Sequence, residues 1–122
     1  MRRTLARGLT VVALPLLVAW TAFHVELDAS YPEADSVLSE TPTEIWLQFS
    51  VVPDMERSSF SVQGPGGTVE LGDMSAGEEL EVIRAEVKGE MPAGDYRVSW
   101  VGAPLDDHAV QGRFGFSLEA GR

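Results

Sequence analysis

The sequence predicts an all-β fold, a sandwich or a barrel, behind an apolar leader. Beyond residue 22 the chain breaks into short alternating runs, with turn residues at intervals of about ten positions. No segment holds a convincing helical period over about ten residues, and no internal repeat or low-complexity tract interrupts the pattern. A length of 122 residues supports one domain and leaves no room for two.

Residues 1–22 have the layout of an export signal. Arg2, Arg3 and Arg7 form a basic start, Leu9 to Ala19 is apolar apart from Pro15, and the small Ala22 stands at the expected cut. The apolar run is too short to span a bilayer comfortably, so cleavage is expected in preference to an uncleaved membrane anchor. No cysteine follows it, which excludes a lipid-modified Cys anchor. The domain is then expected over residues 23–122.

Seven strands are expected in it. The first lies near residues 24–30, before a loop bracketed by Pro32 and Pro42. The second, 43–51, alternates Ile45, Leu47 and Phe49 with Trp46, Gln48 and Ser50. The third, 58–63, alternates Phe60 and Val62 with serines. Gly64-Pro65-Gly66-Gly67 turns the chain into the fourth, 67–72, its glycines supplying positive φ. In the fifth, 79–87, Leu80 and Val82 precede Ala85 and Val87 with an offset read as a bulge. Pro92-Ala93-Gly94-Asp95 turns into the sixth, 94–101, where Tyr96, Val98 and Trp100 give the clearest period of two. Phe114, Phe116 and Leu118 mark the seventh, 109–118. Most of Trp46, Tyr96, Trp100, Phe114 and Phe116 are expected in the core and not on a sugar-binding platform, because strand residues two apart share a face.

Composition narrows the function. With no cysteine there are no disulfides, thiolate metal sites or thiol nucleophiles, and the apolar core alone must hold the exported domain. After residue 22 stand six basic residues and all nineteen acidic ones, a net charge of −13. Such a surface repels phosphate backbones and anionic lipid, which argues against nucleic acid as a partner. It attracts cations weakly and without selectivity. Glu78, Glu79 and Glu81 lack the spacing of a calcium loop.

The chain has only two histidines. His24 lies just past the leader, and His108 closes Asp106-Asp107-His108. If the strands alternate in direction, the start of the first and the loop between the sixth and seventh lie at one end of the fold. An amine, two imidazoles and a carboxylate make the nitrogen and oxygen ligand set that divalent copper favours. Asp106 and His108 are two apart, so in an extended backbone they share a side. Cleavage after Ala22 leaves His24 second in the mature chain; cleavage after Phe23 leaves it first.

Three segments are similar to one family. Phe23-His24-Val25-Glu26-Leu27 followed by Tyr31-Pro32 resembles the opening of the CopC-type copper resistance proteins of the bacterial periplasm, and the run from Pro42 to Ser50 resembles their second strand. Most specific is Pro92-Ala93-Gly94-Asp95-Tyr96-Arg97-Val98-Ser99-Trp100, then Asp106-Asp107-His108, then Gly112-Arg113-Phe114-Gly115-Phe116, which matches the family's P-A-G-x-Y-x-V-x-W, D-G-H and G-x-F-x-F without a gap. The resemblance implies a seven-stranded antiparallel Greek-key sandwich, immunoglobulin-like, that binds Cu(II) in copper handling. It also implies the ligands: His24 through amine and imidazole, with Asp106 and His108. Asp107 departs from the family's glycine. The methionine-rich stretch some members use for Cu(I) is absent, since Met55, Met74 and Met91 are scattered.

The expected function is therefore a monomeric, non-enzymatic copper carrier or buffer of the periplasm, handing the ion to a membrane transporter or another periplasmic copper protein. Two other classes compete with it: a His-brace copper oxidoreductase, and a metal-free sandwich used for interaction.

Overall fold

The computed structural model describes residues 25–120. The expected leader 1–22, Phe23 and the expected ligand His24 lie outside the described residues, as do 121–122. Among the described residues are nine strands and no helix: β1 (Leu27–Tyr31), β2 (Val37–Leu38), β3 (Glu44–Phe49), β4 (Ser59–Gly64), β5 (Gly67–Thr68), β6 (Ser75–Ala76), β7 (Val82–Glu86), β8 (Gly94–Gly102) and β9 (Val110–Leu118). They form a four-stranded sheet of order β1-β3-β7-β6 and a five-stranded sheet of order β2-β9-β8-β4-β5.

All seven expected strands are present, and two short ones are added, so the count of seven is corrected to nine. Neither Val37–Leu38 nor Ser75–Ala76 is long enough to show a period. β2 also breaks the expected antiparallel rule, because it pairs parallel to Ser117–Leu118 of β9. The loop before it is fastened by Asp35, whose φ is 63° and whose N–H donates to Gly115 O at 2.7 Å. The expected fourth strand shrinks to Gly67–Thr68, entered through Gly67 at φ 101°, a conformation that favours glycine. The bulge expected in the fifth strand falls instead between Leu27 and Ala29 of β1. Leu80 is 62% exposed, because a turn closed by Val82 N–H to Glu79 O at 3.1 Å holds residues 79–81 outside the strand that begins at Val82.

The core lies between the sheets. Ile45, Leu47 and Phe49 of β3 and Ile83 and Ala85 of β7 face Phe60, Val62, Tyr96, Val98, Phe116 and Leu118, all buried. Each fully buried side chain of this size contributes about 1.5–3 kcal/mol. With no cysteine in the chain, this apolar contact replaces covalent staples. Tyr96 stacks on Phe116 at 5.2 Å, and Trp100 meets Phe49 edge-on at 5.5 Å. Trp100 and Phe114 are half-buried against the same cluster. Trp46 is the exception: it falls between Ile45 and Leu47, so alternation puts it on the outer face, opposite Tyr31 and Arg84.

Pairing also sets directions. An antiparallel bridge between Leu71, just after β5, and Val87, just after β7, relates the two sheets. With it, β1, β3, β4, β5, β7, β8 and β9 alternate along the sequence, whereas β2 repeats the direction of β1, and β6 that of β5. The two added strands therefore leave the alternation of the seven intact. Leu27 lies opposite Phe49, Ser59 opposite Val101, and Gly102 opposite Val110. The sheets meet at this rim, where a Cβ on Gly102 would lie 2.9 Å from the Phe49 ring and 3.2 Å from Val25 Cγ1. The start of β1 and the loop after β8 thus share one end of the sandwich.

At the opposite end the Tyr96 hydroxyl donates to Pro92 O, four residues upstream, while its ring is buried. Burial raises the Tyr96 pKa above its ordinary value of 10.0. The fold therefore favours the neutral phenol: this contribution is intact below pH about 10 and is lost as pH rises through the raised folded value. Tyr96→Phe is expected to lower stability at neutral pH by about 0.5–1.5 kcal/mol and to flatten the alkaline decline of Tm, measured by thermal denaturation. Unchanged stability with the same alkaline decline would show that neither the bond nor the burial matters.

Candidate metal centre

The loop of residues 103–109 joins β8 to β9 at the shared rim. Its root is buried and its tip is exposed. Ala103 is fully buried; its N–H donates to Ser58 Oγ at 2.9 Å and its carbonyl accepts from Asp54 N–H at 2.7 Å. Pro104 bridges to Pro53, and beyond it the chain turns through Leu105 and Asp106. Asp106, Asp107 and His108 are all exposed.

The loop is held largely from the segment between β3 and β4. Arg57 Nη1 donates to Pro104 O at 3.1 Å, and Nη2 donates to Asp107 O at 2.8 Å. Asp54 builds the turn that presents this arginine: its Oδ1 accepts from Glu56 N–H at 3.0 Å, and its carbonyl accepts from Arg57 N–H at 3.1 Å. Within the loop, His108 N–H donates to Asp107 Oδ1 at 2.7 Å.

Two expected donors, Asp106 and His108, lie on this loop. Neither side chain is engaged in a hydrogen bond or ion pair among the described residues, so a carboxylate and an imidazole stand open to solvent. The residues between them form a turn and a bend, so the extended-strand reason for their sharing a side does not apply here. Asp107 does not have a positive φ, so the backbone at this position accepts the aspartate without that strain.

The third expected donor, His24, lies outside the described residues, but its neighbour does not. Val25 is buried, with its side chain packed at Gly102, one residue before the loop begins. Among the described residues no group of three His, Cys, Asp or Glu side chains could hold a metal ion. A three-donor site at this rim therefore needs a ligand from outside them.

Sequence reasoning missed Asp54, Arg57 and Ser58. One signal was there: Arg57 is the only lysine or arginine between Arg7 and Arg84. Its partners are main-chain carbonyls, which no side-chain motif encodes. The methionines are accounted for as well, since Met91 is buried and Met55 and Met74 pack half-buried on the core.

Known proteins resemble this chain along most of its length. The family profile described as CopC domain matches residues 27–119. "Copper resistance protein C" of Escherichia coli is 27% identical over 124 residues, spanning 94% of this chain and 98% of that protein. The crystal structure of PcoC, a methionine-rich copper resistance protein from Escherichia coli, matches with a TM-score of 0.72 at 27% identity, over 79% of this chain and 99% of that one. CopC from Methylosinus trichosporium OB3b matches with a TM-score of 0.69 at 20% identity, over 79% and 94%, a likeness of fold.

Ser58 gives the loop root a test. Ser58→Ala removes the one acceptor of the buried Ala103 N–H. The expected loss is about 1–3 kcal/mol in chemical denaturation. A variant as stable as the parent would mean that water or a rearranged root takes the serine's place.

Proposed function

The chain belongs to the CopC domain family, and on that premise we propose that it is a monomeric, non-enzymatic Cu(II)-binding protein. It buffers or carries copper in the periplasm after export by residues 1–22, and passes it to a membrane copper transporter or another periplasmic copper protein. The same reading takes the sandwich as Greek-key and immunoglobulin-like. The Tyr96 hydroxyl bonded back to Pro92 O supports this, because such a tyrosine corner recurs in that architecture.

One observation carries the copper reading. The exposed, unengaged Asp106 carboxylate and His108 imidazole sit on a loop rooted beside Val25, the residue that follows His24. The copper reading takes His24, joined directly to Val25 in the chain, as the donor that completes the set. In this reading His24 supplies its imidazole, and its amine if cleavage follows Phe23. Asp106 supplies one negative charge and His108 a neutral imidazole. Nitrogen and oxygen donors of this kind suit Cu(II), which heads the divalent affinity series. The buried and half-buried methionines leave the described residues without an exposed thioether cluster for Cu(I).

The processed protein is expected to take up one Cu(II) per chain in a titration against a chromophoric chelator. His108→Ala should weaken binding by about 100-fold or more, since removal of even an outer-shell partner typically costs 10- to 100-fold. Unchanged affinity in that variant would count decisively against the site. Copper should leave as the solution is acidified, because only deprotonated ligands coordinate. Equilibrium dialysis at descending pH reads this directly, and retention of the metal at acid pH would point to another donor set. Intact mass of the exported protein identifies the first residue.

A further inference from the structure

The loop carrying Asp106 and His108 is fastened from outside itself, and one exposed side chain does most of it. Arg57 bonds two carbonyls three residues apart, Pro104 O through Nη1 and Asp107 O through Nη2. A planar guanidinium can span both at once; an ammonium is a point donor and cannot. The peptide between Asp107 and His108 is then fixed on both sides. Arg57 holds its carbonyl, and Asp107 Oδ1 accepts its N–H at 2.7 Å. The plane of that peptide sets where the His108 side chain begins. Asp54 Oδ2 lies 3.8 Å from Arg57 Nη1, an exposed pair that orients the arginine and contributes little stability by itself.

Charge alone makes Arg57 a poor choice for this place. A cation beside a cation site opposes binding by simple repulsion. The chain nevertheless places its only lysine or arginine between Arg7 and Arg84 against this loop.

We propose that Arg57 is a positioning residue for the metal held by Asp106 and His108: it does not touch the ion, but fixes the loop backbone from which both ligands project. This rests on the copper reading above and adds to it a dependence on the segment between β3 and β4. Fixing the loop before the ion arrives removes an ordering cost from binding.

The opposing signs make the test sharp. If Arg57 acts only through its charge, Arg57→Met tightens copper binding and Arg57→Lys leaves it unchanged. If it positions the loop, both variants weaken binding, Arg57→Met by about 10- to 100-fold and Arg57→Lys by less. Cu(II) electron paramagnetic resonance of Arg57→Met should show mixed coordination in place of one species. In the metal-free protein, hydrogen exchange should quicken at the amides of residues 105–109. Leu118→Ala, which loosens the core at the end of the sandwich remote from the loop, where Leu118 pairs with Gly94, should lower Tm and leave copper affinity alone.

Affinity in Arg57→Met equal to or tighter than the parent, with an unchanged spectrum, overturns the proposal even if exchange quickens. Binding by the parent that is lost in His108→Ala but kept in Arg57→Met defeats this proposal alone. A parent that binds no copper defeats the copper reading and this inference together.

Discussion

Gly102 joins the two halves of this molecule. The space where its side chain would stand is filled by the Phe49 ring from one sheet and by Val25 ahead of β1. Phe49 in turn packs edge-on against Trp100, two residues before Gly102 in the opposing sheet. The absence of one Cβ thus lets the end of β8 press onto the end of β3. Close packing of this kind transmits position, because a filled interior has little room to adjust. The loop after β8 inherits its placement from the core beneath it.

Above that contact the forces change from apolar to polar. The buried Ala103 main chain satisfies both of its groups through Ser58 and Asp54, and the next carbonyls along the loop accept from Arg57. Burying a main-chain group without a partner costs about 1–3 kcal/mol, so the segment between β3 and β4 is as necessary to the loop as the strands that flank it. By residue 106 the chain is exposed, and the carboxylate and imidazole at the tip have no protein partner among the described residues. The hydrogen-bonded root fixes where the loop's backbone stands, and the tip leaves its side chains open to solvent.

Much of the fold was legible because period-two alternation is a strong signal over long strands. Tyr96, Val98 and Phe116 declared their face in the sequence and are buried as expected. Legibility failed where strands are two residues long, as at Val37–Leu38 and Ser75–Ala76, and where an apolar residue belongs to a turn, as Leu80 does. Trp46 is the one aromatic of the five outside the core, and the alternation with Ile45 and Leu47 already set it on the opposite face. At the candidate site the loop motif was readable and its support was not. Arg57 recognises carbonyl oxygens, which every residue carries, so no pattern of side chains announces such a contact.

Two histidines in the whole chain make the central claim countable. The most direct measurement is electron spin-echo envelope modulation on the copper-loaded, processed protein at natural 14N abundance, with 15N-labelled histidine as the control that removes the signal. Modulation from two coordinated imidazoles, at one copper per monomeric chain, is the expected result, since His24 and His108 are then the two histidines that can supply them. A single imidazole, or none, would contradict a centre built jointly from the start of the mature chain and the loop after β8.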